Sequence, residues 1–320
     1  MGGLGNQLFQ VYTTMALSME MKMGFIFPRN KLVTDKRSCM YWTSFLKELN
    51  KNATMKDIKT LTYTVYKEKE FKYEKIQLSP ELIRKTGGVL LYGYFQSYKY
   101  FDKECKNISQ YIKLDESRQL VRNTYYKKYE NQNVISVHFR MGDYKHLQNC
   151  HPILSNEYYI NSIKFILNNI NSRIPQQGIT QQGITQQGIP QQGITQQETK
   201  KWTILYFCED EDFSEIKKRI ELIKSGLRLD SETDIERILN LEFERGGNDS
   251  KQKMEDWQQL LLMSCCDHNI IANSSYSWWA AYFNNSIDKI VCYPEIWFGP
   301  QLLNHDTKDL CPTSWNKIKS

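Results

Sequence analysis

A short run, Val134-Ile135-Ser136-Val137-His138-Phe139-Arg140-Met141-Gly142-Asp143-Tyr144, carries an imidazole and a guanidinium two positions apart. Val134, Ile135, Val137 and Phe139 are β-formers and the run breaks at Gly142-Asp143, so the spacing predicts a strand with His138 and Arg140 near its carboxyl end. Alternation along a strand places those two side chains on the same side. Ligands of open α/β sheets bind outside the carboxyl ends of the strands. A guanidinium there, permanently charged and with five donors, suits a phosphate or pyrophosphate. The competing reading is an arginine paired with a local acid such as Asp143.

Two other stretches favour an anionic ligand. Met1-Gly2-Gly3-Leu4-Gly5-Asn6-Gln7-Leu8-Phe9-Gln10 is a glycine-rich turn running into Leu8, Val11, Tyr12, Met15 and Met19 at helical spacing. Such a turn presents bare N–H groups and the positive end of a helix dipole to an anion or to sugar hydroxyls. It is not the dinucleotide fingerprint, whose third glycine would fall at Leu8. Turns of this type follow a strand, so a first strand is expected that the sequence apparently lacks. At the other end, His268 to Ala272 reads as a short strand and Asn273-Ser274-Ser275 as caps for a helix carrying Trp278, Trp279, Tyr282 and Phe283. Strand, serine pair and helix N-terminus make a second phosphate-friendly geometry. The tryptophan pair reads as packing.

Between them, Trp202 to Phe207 is a strand, followed by Cys208-Glu209-Asp210-Glu211-Asp212 and a helix from about Phe213. Acids at a strand end can accept hydrogen bonds from ribose hydroxyls or a guanine edge, and Asp210-x-Asp212 fits the two-carboxylate spacing of a metal–nucleotide site. Acids are equally favoured in the first turn of any helix. Upstream, residues 20–130 alternate weak strands (24–27, 89–95) and helices, with Gly93-Tyr94-Phe95-Gln96-Ser97 available to line a cleft and Ser117 to Glu130 suiting a surface helix. Tyr158 to Ile170 has helical spacing. From Gln176 to Gln197 a Gln/Gly-rich unit repeats every five residues and cannot bury a core. The expected organisation is an N-terminal unit over 1–130 and a C-terminal unit over 131–320, interrupted by a disordered insertion at 175–198.

Bulk properties fit that division. The chain has 320 residues, enough for two domains. Its net charge of +6 is spread as single lysines and pairs, which suits an anionic ligand but forms no nucleic-acid stripe. Eight cysteines are scattered without a C-x-x-C, which argues against zinc, and Cys208 and Cys265-Cys266 sit in apolar runs as buried thiols. No apolar run reaches membrane-spanning length and no signal-peptide pattern opens the chain. Five Asn-x-Ser/Thr sequons, at Asn52, Asn107, Asn248, Asn273 and Asn284, are compatible with a secretory setting and equally with chance in an Asn-rich chain.

Together, Gly2-Gly3-Leu4-Gly5-Asn6-Gln7-Leu8-Phe9-Gln10, His138-Phe139-Arg140-Met141-Gly142-Asp143-Tyr144 and Asn273-Ser274-Ser275-Tyr276-Ser277-Trp278-Trp279-Ala280-Ala281 resemble the three signatures of the α1,2-fucosyltransferase family, glycosyltransferase family 11. The resemblance spans nearly the whole chain apart from the repeats. It implies a GT-B-like α/β fold: two Rossmann-like domains facing a cleft, with the acceptor side over 1–130 and GDP-sugar binding over 131–320. It also implies GDP-fucose as donor, a glycan with terminal galactose as acceptor, inversion at the anomeric carbon, and no metal or other cofactor. By motif position, Arg140 would clamp the donor pyrophosphate, His138 would support it or the nucleotide, and Asn6 would lie near the fucose or acceptor hydroxyl. Gly3, Gly5, Asp143, Ser274 and Ser275 would bind the donor, and Asp256 and His268 would lend support. Phe207-Cys208-Glu209-Asp210 stands where the family has Phe-Ser-Asp-Asp, so Asp210 matches as a nucleoside ligand while Cys208 and Glu209 depart. The resemblance implies a soluble protein, cytoplasmic in a microbe or virus, or a Golgi membrane protein whose anchor lies outside this sequence. The rival classes are a metal-dependent glycosyltransferase using Asp210 and Asp212, a non-catalytic carbohydrate-binding protein and, last, a nucleic-acid binder.

Overall fold

The computed structural model describes residues 1–29, 41–56, 60–173, 201–228, 241–249 and 252–319. In chain order these form α1 (Leu4–Met21), β1 (Phe27–Pro28), β2 (Ala53–Thr54), β3 (Thr64–Lys67), α2 (Pro80–Thr86), β4 (Val89–Tyr92), α3 (Cys105–Tyr111), α4 (Leu114–Val121), β5 (Asn133–His138) and α5 (Asn156–Arg173). There follow β6 (Trp202–Phe207), α6 (Phe213–Arg228), β7 (Leu241–Arg245), β8 (Asn248–Asp249), β9 (Gln252–Lys253), α7 (Asp256–Ser264), β10 (His268–Ile270), α8 (Ser275–Phe283), β11 (Val291–Pro294) and β12 (Asn316–Ile318).

The apolar runs at 134–138 and 202–207 are buried along both faces, which is the pattern of central strands in a sheet covered on two sides. They form the middle of a six-stranded parallel sheet ordered β12-β11-β10-β5-β6-β7. From β5 the chain winds one way through β6 to β7, then restarts on the other side with β10, β11 and β12. Numbered within this half, the order is 3-2-1-4-5-6, that of a doubly wound nucleotide-binding sheet. The direction reverses between β5 and β10, so the crevice at the switch point opens beyond His138 and Ile270.

One face of the sheet is covered by α5 and α6, where Ile135, Val137 and Ile204 pack on Tyr158, Tyr159, Ile163, Ile216 and Ile220. The other face is covered by α7, α8 and, across the chain, α1. Phe9 meets Trp278 and Trp279 at ring-centroid distances of 4.6 and 5.0 Å, and Phe101 stacks on Trp279 at 5.1 Å. Both tryptophans are fully buried, as their packing assignment requires. The N-terminal helix is thus part of the core that supports the switch-point crevice.

Other parts of the N-terminal region depart from expectation. Pairing at 24–27 narrows to Phe27–Pro28, opposite Ala53 and Thr54. Among the described residues this region holds two parallel pairs, β1-β2 and β3-β4. The segment from 117 to 130 is α4 continued by a π turn and a 3-10 turn, and it buries Val121, Tyr126 and Tyr129, so it is half-buried rather than superficial. Cys265, Cys266, Cys292 and Cys311 are buried free thiols, and Cys105, Cys150 and Cys208 are free and partly buried. The sequon asparagines Asn273 and Asn284 are buried and their amides donate to backbone carbonyls. The repeat at 175–198 lies outside the described residues. Among the described residues no helix is long and apolar enough to cross a membrane.

Candidate functional site

Backbone pairing of β5 ends with Phe139 N–H donating to Phe207 O at 2.8 Å. The chain then leaves the sheet through Gly142, whose φ of +34° lies where glycine is favoured. Its N–H donates to Asp212 Oδ2 at 2.7 Å, and Asp212, fully buried, also binds Lys145 Nζ at 2.7 Å. The turn after β5 is therefore tied to the first turn after β6. Arg140 lies in this coil, past the last strand residue, so strand alternation no longer governs where it points.

The guanidinium of Arg140 is held by Asp143 Oδ1 at 2.5 Å and by Glu209 Oε1, and it lies 5.1 Å from the Tyr144 ring centroid. Pairing with Asp143 was the competing reading, and it is present. The arginine is about a quarter exposed, its two acids more so, which leaves a preorganised cation at the crevice mouth. Tyr144 donates to Asn273 O at 3.0 Å, joining this coil to the loop after β10, and burial pushes its phenol up to about 12.

His138 is buried at the end of β5 with its ring 5.4 Å from that of Tyr276. Its Nδ1 has no hydrogen-bond partner among the described residues. Desolvation, and secondarily the charge of Arg140, push the imidazole down to about 3, so it is neutral at physiological pH. A buried, unpartnered ring nitrogen at a switch point is a group poised for a ligand.

The two serine and glycine motifs meet here. Ser274 caps α8 by accepting from Tyr276 N–H, and Ser275 Oγ donates to Asn6 Oδ1 at 2.6 Å. Gly5 packs against the same turn: a Cβ on it would lie 2.5 Å from Tyr276 N. Gly3, the N-terminal neighbour of α1, makes no side-chain cap, and a Cβ built there meets nothing within 4 Å. The N-termini of α1 and α8 therefore lie side by side, with Gly5 packed against the α8 turn and Gly3 open. Gln96, from the stretch read as a possible cleft wall, donates to Asn6 Oδ1 at 2.9 Å.

Asp210 binds Arg245 at 2.5 Å and Lys253 at 3.4 Å, and the arginine chiefly holds its carboxyl below the ordinary range. Asp212 faces Lys145 instead, so the two carboxylates are held by separate cations and do not converge. Among the described residues no group of three potential ligands is placed to hold a metal. Asp256, at the start of α7, accepts from Tyr41 through its carboxylate and from the Tyr276 hydroxyl through its carbonyl at 2.6 Å. His268 sits opposite Ile135 at the far end of the sheet, where its Nδ1 accepts from Ile290 N–H at 3.0 Å. The structure thus brings together Arg140, His138, Asp143, Asn6, Gly3, Gly5, Ser274 and Ser275, places Asp210 on the β6 side and Asp256 behind Tyr276, and leaves His268 apart.

Sequence reasoning missed Glu209 as the second carboxylate on Arg140, and it missed Tyr276 as the neighbour of His138. Tyr276 lies inside a quoted motif, so its place in the first turn of α8 was the available signal. A cavity of about 460 Å³ between α1 and strands β1 and β4, lined by Leu17, Met21, Ile26 and Leu90 among others, is apolar and does not include Arg140 or His138.

Comparison with known proteins agrees with the motifs. The model of glycosyl transferase family 11 matches residues 234–319. An α1,2-colitosyltransferase of Escherichia coli is 26% identical over 349 aligned positions, covering 99% of this chain and 97% of that protein. The O-antigen biosynthesis glycosyltransferase WbnK of Escherichia coli is 26% identical over 219 residues, covering 66% of this chain but only 56% of its own length. Among solved structures, a mutant of Arabidopsis thaliana FUT1 in complex with GDP aligns with 98% of this chain and 73% of its own, at 10% identity and a TM-score of 0.45. The C-terminal stretch of the chain thus matches the model of glycosyl transferase family 11, and the whole chain is similar from end to end to an α1,2-colitosyltransferase.

Proposed function

We propose that the chain transfers L-fucose from GDP-fucose to a hydroxyl of a terminal galactoside, with inversion and without a metal. The observation that carries the proposal is the convergence, at the switch point of a 3-2-1-4-5-6 sheet, of Arg140, His138 with its unpartnered Nδ1, and the paired N-termini of α1 and α8. Arg140 faces the donor pyrophosphate, exchanging its carboxylate partners for phosphate oxygens. As the bond between the anomeric carbon and the β-phosphate oxygen breaks, negative charge grows on the leaving GDP, and a fixed guanidinium stabilises that charge more than the ground state. The N–H groups at the start of α8 and the Ser274 and Ser275 hydroxyls add neutral donors. His138, uncharged, supplies a ring nitrogen to the nucleotide without adding a cation beside Arg140. The acceptor oxygen enters from the opposite face of the sugar. No described carboxylate or imidazole is placed as an evident general base, which fits a loose displacement in which the acceptor proton departs late.

A colitosyl donor is the second reading, favoured by the activity of the end-to-end relative, an α1,2-colitosyltransferase. A panel of sugar nucleotides with lactose as acceptor, run with and without EDTA, separates these readings. Turnover of GDP-fucose that is indifferent to EDTA is the expected result. Turnover of a colitosyl donor alone selects the second reading, loss with EDTA selects a metal-dependent enzyme, and glycan binding that ignores GDP points to a carbohydrate-binding protein. Absence of any GDP binding overturns the proposal.

A further inference from the structure

Asn6 is held in one orientation by Ser275 of the third motif and by Gln96, which lies outside all three sequence motifs. Its Oδ1 accepts from Gln96 Nε2 at 2.9 Å and from Ser275 Oγ at 2.6 Å, which fills both lone pairs of an amide oxygen. Its Nδ2 is turned the other way, toward the glycine turn, where a Cβ on Gly2 would lie 2.5 Å from that nitrogen. Gly2 has a φ of +75° and its missing side chain leaves the room that Nδ2 occupies, while Gly3 beside it has open space where a side chain would stand.

Gln96 is in turn placed by an unusual backbone. Phe95 has a φ of +53°, rare for a bulky side chain, and the residue is fully buried. The turn is pinned on both sides. Glu68 accepts from Tyr94 N–H at 2.7 Å and from Phe95 N–H at 3.0 Å. Ser97 Oγ donates to Asp309 O at 2.5 Å. Gly93 leaves the room, since a Cβ there would lie 2.7 Å from Glu68 Oε2. Strained backbone that is over-determined by its surroundings concentrates at functional sites, and this one ends on Asn6.

We infer that Glu68 and Gln96 are positioning residues that lock the Asn6 amide as a hydrogen-bond donor toward an oxygen of the bound substrates. Glu68 holds the left-handed turn, the turn aims Gln96, and Gln96 with Ser275 occupies Oδ1 so that only N–H can face the ligand. The ligand atom is an acceptor oxygen, either of the donor phosphates or of a sugar hydroxyl. The inference rests on the reading of this crevice as a glycosyltransferase site.

Two variants of Gln96 test it. Gln96→Met removes the donor to Oδ1. Gln96→Glu removes it only while the introduced carboxyl is ionised, because the protonated acid donates again. Turnover is expected to fall at least tenfold in both at pH 8. Relative to wild type, it is expected to recover progressively as pH falls from 6 to 4.5, toward the ordinary Glu value of about 4.3, in Gln96→Glu but not in Gln96→Met. A contact role alone predicts no such recovery. A fall in GDP affinity alongside turnover assigns the oxygen to a phosphate, and a raised KM for the acceptor assigns it to a sugar hydroxyl. Wild-type turnover in Gln96→Met, or parallel pH profiles in the two variants, overturns the inference. If the wild type transfers no sugar, the functional reading has failed. The relay is then read in the unliganded protein from the Asn6 side-chain amide signals in asparagine-15N-labelled Gln96→Glu. Their titration with the introduced carboxyl supports the relay, and their invariance overturns it. Glu68→Ala, if folded, reproduces the behaviour of Gln96→Met.

Discussion

His138 makes the protein acid-labile in a way that one substitution isolates. The imidazole is buried, tilted against Tyr276, and pushed from 6.5 down to about 3 by desolvation and then by Arg140. A depressed native pKa means that the unfolded chain takes up a proton the folded chain refuses, so stability is present above 6.5 and is lost as pH falls toward 3. Each unit of difference is worth about 1.4 kcal/mol. Integrated from pH 7 to 4.5, the loss from this one group is about 2.5 kcal/mol, and the figure barely changes for any native value below 4. Other groups titrate in the same window, so the measured quantity is the difference between wild type and His138→Gln, which carries no proton to exchange. Urea unfolding at pH 7, 6, 5 and 4.5 gives both curves. The variant starts lower at pH 7, because it disturbs a fully packed position, and the gap closes by about 2.5 kcal/mol by pH 4.5. A gap that stays constant within about 0.5 kcal/mol would show that His138 is solvated or charge-compensated in the native state, and would refute the burial reasoning.

Other consequences follow from the same geometry. Arg140→Ala and Arg140→Lys should both lower turnover by roughly two to three orders of magnitude with the fold retained, since a point charge does not reproduce the fork; near-normal turnover by either folded variant contradicts the assignment. Gly5→Ala places a methyl against the backbone of Ser275 and Tyr276, which cannot give way as a flexible side chain would. It should cost about 1–3 kcal/mol in thermal unfolding and reduce GDP affinity together with stability. Deleting residues 175–198 should leave turnover within a factor of about two, because the flanking ends, Arg173 of α5 and Trp202 of β6, lie at the end of the sheet opposite Arg140; a large loss in steady-state kinetics would assign that segment a role at the site.

Short-range pattern carried much of this molecule. The apolar runs at 134–138 and 202–207 announced central strands, helical spacing announced α5, α7 and α8, and the serines after Ala272 announced a cap that Ser274 makes. These features are legible because strand period, helix period and capping are set by residues within a few positions of one another. Tyr126 and Tyr129 were misjudged as surface residues because burial depends on what packs above them, which composition does not encode.

What the sequence by itself determined was the set of groups that could handle a diphosphate: one arginine and one histidine at a strand end, two serines at a helix start, and a glycine turn. Which of them share a site was decided by tertiary structure. His138 and His268 stand on adjacent parallel strands, yet the register puts His268 opposite Ile135 and sends the two imidazoles to opposite ends of the sheet. Arg140 finds Glu209 across 69 residues, Gln96 finds Asn6 across 90, and Ser275 finds Asn6 across 269. Contacts at such separations leave no periodic trace in the chain. They exist because strand order and the packing of α1 on α8 bring distant backbone together, and the chemistry at the crevice follows from that packing.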